Sequence, residues 1–188
     1  MNRSITIVFF LLPTLVTSAA HADFIALYGD TLHNDCNITD SGCSVYQVEV
    51  FHFSAQGARG CRFRAPYQNC LAETIFHNDE PMFAATTGNS QAGVTVDYGN
   101  CLSGWIHVMS IVYWDVMFWG PAPCCELPVL PHPGESTGAI EVTDCNGTIV
   151  EAGGVSGITD RTPACPCDLP VGIEEQPTWG KVKAMFAD

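Results

Sequence analysis

Basic residues are what this sequence has least of: Lys and Arg total 7 against 20 Asp and Glu, a formal net charge of −13 over 188 residues. A nucleic-acid surface needs clustered Lys and Arg to neutralise phosphates. The one local trio, Arg59, Arg62 and Arg64, is too small to overcome the acidic field, so nucleic acid is excluded as a partner. The same imbalance opposes adsorption to anionic membranes. An unbroken apolar run of membrane-spanning length is also missing. Residues 105–119 are interrupted by His107, Ser110 and Asp115, whereas a helical span needs roughly 20 apolar residues. C-x-x-C and H-E-x-x-H, the spacings that announce zinc sites, do not occur. The histidines His33, His52, His77, His107 and His132 form no close ligand pair.

A serine-nucleophile elbow is absent too. Gly88-Asn89-Ser90-Gln91-Ala92-Gly93 is one residue too long for G-x-S-x-G and lacks its strand–turn–helix setting. It reads as a turn entering the next strand. A Cys–His nucleophile would compete with disulfide formation for every thiol. Asp79-Glu80, ahead of Pro81, reads as a turn.

What is present starts with the N-terminus. Arg3 precedes a short apolar stretch broken by Pro13, and Ala20-His21-Ala22 closes it with small residues at the −3 and −1 positions of a signal-peptidase site. Residues 1–22 are therefore expected to be a cleaved export signal of bacterial type, with Asp23 the mature N-terminus. Losing Arg3 takes the formal charge to −14, and removing 22 of 188 residues leaves 166, one domain's length. After signal removal no membrane insertion is expected.

Ten cysteines follow: Cys36, Cys43, Cys61, Cys70, Cys101, Cys124, Cys125, Cys145, Cys165 and Cys167. In an exported chain, an even count reads as disulfides. Adjacent residues sit closer than the ~5.5 Å Cα separation an unstrained bridge prefers, so Cys124 and Cys125 should take different partners, as should Cys165 and Cys167. The local pairs Cys36–Cys43 and Cys61–Cys70 are expected. Cys101 is expected to join one of the vicinal pair, and Cys145 one of Cys165 and Cys167.

Strand patterns recur between Gly, Pro and Asn signals. They cover residues 24–28, 45–53, 60–65, 93–98, 105–114, 138–143 and 148–151, with Asn146-Gly147 as a hairpin turn between the last two. Residues 71–77 suit a helical turn or a strand, and the five prolines of residues 121–133 make that stretch an irregular connection. Short strands with almost no amphipathic helical pattern predict an all-β, immunoglobulin-like antiparallel β-sandwich braced by disulfides. It should occupy residues 23–170, followed by a linker and short C-terminal segment over residues 171–188.

Gly93-Val94-Thr95-Val96-Asp97-Tyr98-Gly99, then Leu102-Ser103-Gly104-Trp105-Ile106-His107-Val108-Met109-Ser110-Ile111, then Ile140-Glu141-Val142-Thr143-Asp144-Cys145-Asn146-Gly147 resembles the second half of cohesin-like and other immunoglobulin-like sandwiches. The chain also looks like cysteine-rich secreted proteins of environmental bacteria. The resemblance spans residues 88–154 and implies a fold, not an activity. The many cysteines depart from ordinary cohesin-like modules.

Residues 34–42 and 144–147 are dense in oxygen ligands and suit calcium, although neither follows the D-x-[DN]-x-[DN]-G loop with its distal Glu. Asn and Asp also favour tight turns. The aromatic run of residues 113–120 offers a binding surface: Trp114 and the residues before it read as core, while Asp115, Phe118 and Trp119, nearer the Pro-rich connection, are the candidate contacts. The reading is a secreted or periplasmic, non-catalytic module, structural or binding a protein or glycan. The alternative is a secreted glycosidase-like hydrolase using loop carboxylates.

Overall fold

The computed structural model describes residues 23–39, 45–71, 74–115, 124–135 and 138–160. The expected export signal, the C-terminal segment, Phe118 and Trp119 lie outside the described residues. Within them strand is the dominant structure. The strands are β1 (Phe24–Tyr28), β2 (Asn37–Thr39), β3 (Val45–Phe63), β4 (Thr74–Pro81), β5 (Ala85–Asn89), β6 (Gly93–Asp115), β7 (Cys125–Leu127), β8 (Ile140–Asp144), β9 (Ile149–Val155) and β10 (Gly157–Asp160). A single 3-10 turn, Asn69–Leu71, precedes β4.

Two long, bent strands organise the molecule. The first half of β3 pairs with β1 and with residues 104–114 of β6, and β6 in turn pairs with β4; the second half of β3 pairs with β8 and with residues 94–97 of β6. Strand β5 adds to that early part of β6. The register slips between Ser54 and Gly60, and this irregularity turns β3 from one layer into the other. Along β6 the corresponding bend is marked by Gly99 and Gly104, both at positive φ (74° and 81°). Layer one is thus β9–β1–β3–β6–β4, and layer two is β8–β3–β6–β5.

Strand β9 closes one side of the sandwich by pairing antiparallel with β8 and parallel with β1. A small separate sheet, β2–β10–β7, contains a second parallel pair, β2 with β10. The sandwich is therefore mainly, but not wholly, antiparallel. Parallel pairs need a long crossover rather than a hairpin, and nothing in the local pattern of β1 or β9 announces one.

Alternation sends Ile25, Leu27, Tyr46, Val48 and Val50 inward from layer one, and Cys61, Phe63, Val94, Val96 and Val142 inward from layer two. Phe63 is fully buried; truncating it to Ala would cost roughly 3–5 kcal/mol by cavity formation.

Disulfides tie the layers' margins, with pairings other than those expected. Cys70, in the 3-10 turn, bridges Cys125 on β7, and Cys101 bridges Cys145. Cys36 and Cys124 are also disulfide-bonded, so the vicinal cysteines do take different partners. Cys61 is a correction: it holds a free, buried thiol. Strand alternation points it into the core, where it hydrogen-bonds Tyr98, while Cys70 lies close to β7. Cys43, Cys165 and Cys167 lie outside the described residues.

Candidate functional site

The outer face of layer one carries the molecule's most distinctive chemistry, in three bands set by register. At one end Trp114 of β6 sits between Val45 of β3 and Ile75 of β4. All three are solvent-exposed, at 44%, 57% and 53%. His77 stacks on the Trp114 indole with ring centroids 4.0 Å apart, which holds the ring in place.

The middle band is polar. Ser110 lies opposite both Glu49 and Glu80. Ser110 Oγ donates to Glu49 Oε2 at 2.6 Å, and His107 Nε2 lies 2.7 Å from the same oxygen. Burial alone would raise the Glu49 carboxyl, but the bonds from His107 and Ser110 and the His107 charge outweigh it and hold it below its ordinary value. Gln47 reaches Glu80 Oε2 at 3.5 Å.

The far band is aromatic. Phe24, Phe53 and Trp105 follow one another across the strands, with Phe51 and His107 stacked beside them at 4.7 Å. The loop after β1 folds over this band, laying the His33 ring 4.4 Å from Trp105. Asp30 shapes that loop, its Oδ1 accepting from the Asn34 and Asp35 amides. A second small core results, built on the outside of the sheet from Phe24, Ala26, Tyr28, Cys36 and Phe51.

Serine, histidine and glutamate meet here, but not in the order of a Ser–His–acid triad. The Ser110 hydroxyl donates to Glu49, and His107 faces Glu49 instead of Ser110, so no histidine is aimed at the hydroxyl. Ser90 of the G-x-S-x-x-G segment is fully buried in the β5–β6 turn. Its amide and hydroxyl both donate to Asp79, at 2.6 and 2.7 Å, so the turn reading holds. Asp79-Glu80 is a correction, since both residues lie within β4; the ladder to β6 overrides their turn preference.

Among the expected contacts, Asp115 ends β6 opposite Thr74 and is buried. Its neighbour Trp114 is the exposed one, the reverse of the order read from the sequence, because β6 runs along a face open to solvent at that end. The oxygen-rich loops spend carboxylates on their own backbones: Asp35 Oδ1 accepts from Asn37, and Asp144 Oδ1 from Asn146 and Thr148. Among the described residues no group of three or more His, Cys, Asp or Glu is arranged to hold a metal ion. No described helix is long and apolar enough to cross a membrane.

The architecture places the chain in a fold class, the cohesin-like β-sandwich. The sixth cohesin of scaffoldin B from Acetivibrio cellulolyticus, solved in complex with a Cel5 dockerin, matches with a TM-score of 0.50 at 12% identity, over 76% of this chain and 99% of the cohesin. The seventh ScaB type I cohesin from Pseudobacteroides cellulosolvens gives 0.47 at 10% identity, over 79% of this chain and 97% of that one. At 12% identity the first likeness is one of fold. No protein-family model matches the sequence, and no curated protein does.

Proposed function

We propose that the protein is an exported, non-catalytic module that binds a protein partner through the outer face of layer one. The observation that carries this reading is the cross-strand row Ile75–Trp114–Val45, three large apolar side chains in contact with solvent on one sheet face. Exposed apolar groups clustered on an ordered surface mark interaction sites, and an aromatic anchor with a polar rim, here Gln47 and Glu80, suits a protein interface. The cohesin of like fold was solved with a dockerin bound, which supports partner binding as a use of this architecture. Export is supported by the N-terminal pattern and by disulfides that persist in oxidising surroundings.

A hydrolase reading finds little to work with. Glu135 and Glu141, two carboxyls that meet at Arg62, have side chains 1% and 7% exposed, so this pair is closed to substrate.

The test is affinity capture from the native culture medium by the immobilised mature protein, wild type against Trp114→Ala and Ile75→Ser. A partner held by the wild type and lost by both variants is expected. Equal capture by all three would remove this face from consideration. Turnover of a polysaccharide that Glu135→Gln abolishes would restore the enzyme, and binding to immobilised glycans dependent on Trp114 would change the class of partner.

A further inference from the structure

The connection from β7 to β8 lies across the end of layer two as a strap, residues 129–135. Leu130 and Arg64 exchange two backbone hydrogen bonds, 2.9 and 2.8 Å. Beyond them the His132 ring and Pro133 settle where Gly93 has no side chain. A Cβ at Gly93 would lie 2.7 Å from His132 Cδ2 and 2.8 Å from Pro133 Cδ, so the strap's fit requires glycine there. The strap then turns, with the Glu135 amide donating to the His132 carbonyl at 3.0 Å, and sets the Glu135 carboxyl beneath itself, beside Arg62 on the outer side of layer two.

That carboxyl is closed off from water, its Oε1 3.1 Å from Arg62 Nη1 on β3. The same Nη1 lies 3.3 Å from Glu141 Oε2 on β8. One guanidinium thus serves two buried carboxyls. Two carboxylates sharing a site cannot both ionise cheaply, and a single cation neutralises only one. With Glu135 ionised, neither of its oxygens has a hydrogen-bond donor; a proton on Glu135 directed at Glu141 supplies the missing bond.

Strand β3 contributes Arg62, β8 contributes Glu141, β9 adds Glu151 in register with Glu141, and β6 contributes the uncharged Thr95, which accepts from Arg62 Nε at 3.3 Å. The strap itself adds His132, 3.8 Å from Glu135, whose pKa is lowered by burial and then by Arg62. No second cation faces the carboxyls among the described residues.

We propose that residues 129–135 form a proton-operated latch, seated while Glu135 holds a proton towards Glu141 beside Arg62 and released as Glu135 ionises. Burial first, then the hydrogen bond to Glu141, push the Glu135 carboxyl from the ordinary 4.5 up to about 7. The seated strap keeps a proton that a free strap surrenders above about 4.5, so seating weakens as pH rises from there to about 7 and changes no further beyond it. Release would bare Gly93, Arg62 and Thr95 on the outer side of layer two, a surface separate from the Trp114 row.

The experiment is amide hydrogen exchange at Arg64 and Leu130, whose amides the strap protects, from pH 5 to pH 8.5 and corrected for intrinsic exchange. Protection should fall by roughly tenfold per pH unit at the steepest part of the window and level off above it. Glu135→Gln, which donates to Glu141 without ionising, should keep protection high and remove the pH dependence; Glu141→Gln should act likewise. Protection in the wild type that does not vary with pH, or the same loss in a folded Gln variant, overturns the latch. The wild-type profile decides the matter alone if neither variant folds.

Discussion

His52 Nδ1 lies 2.8 Å from the Tyr98 hydroxyl, a bond that crosses the sandwich interior from the first half of β3 to the first half of β6. Tyr98 also meets the Cys61 thiol, so three polar groups sit within an otherwise apolar core. Buried polar groups persist when they satisfy one another and fix one packing of the core. Here the His52–Tyr98 bond joins one layer to the other, while His52 Nε2 is buried without a partner.

Acid stability should carry the signature of His52. Burial lowers its pKa from 6.5 to about 4, so the folded chain holds the ring neutral. A depressed folded pKa contributes stability that is fully present above pH 6.5 and lost as pH falls towards 4. Urea titrations at pH 7, 5.5 and 4.5 should show falling midpoints across that range, and His52→Gln should flatten the fall. Parallel curves for the two proteins would mean the ring is not held neutral.

Removing the tyrosine hydroxyl isolates the bond itself. Tyr98→Phe keeps the ring volume but leaves His52 Nδ1 without its partner, at a cost of about 1–3 kcal/mol. Urea unfolding at pH 7 measures it. A loss below a few tenths of a kcal/mol would show that the hydroxyl contributes no net stability.

Cys61 should be the hidden thiol of the protein. Full burial pushes its pKa up to about 12, against a smaller opposing effect of its bond to Tyr98, and the thiolate is the reactive form. Iodoacetamide should leave Cys61 unmodified in the native state and label it in urea without reductant. Peptide mapping of wild type against Cys61→Ala reads this directly. Labelling of Cys61 in the native state would contradict its place in the core.

The strands were legible where alternation was clean. Residues 24–28 coincide with β1, and the Asn146-Gly147 turn does join β8 to β9. The sequence suggests two strands at residues 45–53 and 60–65, and two more at 93–98 and 105–114, whereas each pair is one bent strand. Glycines 57, 60, 99 and 104 look like chain breaks in a local reading, but the ladder runs through them. The uncharged β5 and the three-residue β2 and β7 carry too few apolar positions to show a period, and only pairing with a neighbour defines them.

The candidate site was less legible, for a definite reason. Glu49 sits at a polar position of an alternating strand and reads as a solvated residue; its burial comes from His107 and Ser110, which register brings from 58 and 61 positions away. Trp114 reads as core because large aromatics are usually buried, and its exposure depends on which face of β6 remains uncovered. Pairing of Cys70 with Cys125 and of Cys101 with Cys145 spans 55 and 44 residues, beyond the reach of local spacing arguments.

Gly57 and the Cys101–Cys145 bridge should prove energetically coupled. Gly57 has φ of +94°, and a Cβ there would stand 2.7 Å from Cys145 Sγ and 3.0 Å from Cys101 Sγ. Alanine at this position therefore meets two separate penalties, the left-handed backbone, about 1–2 kcal/mol, and collision with both sulfurs. Replacing the two cysteines by Ala should cost about 2–5 kcal/mol through loss of the cross-link. It also clears the space beside residue 57. In a double-mutant cycle read by urea unfolding, Gly57→Ala should then cost less in the bridge-free background than in the wild type, since only the backbone penalty remains. Strict additivity would mean that the bulge between Ser54 and Gly60, rather than the bridge packed against it, sets the need for glycine.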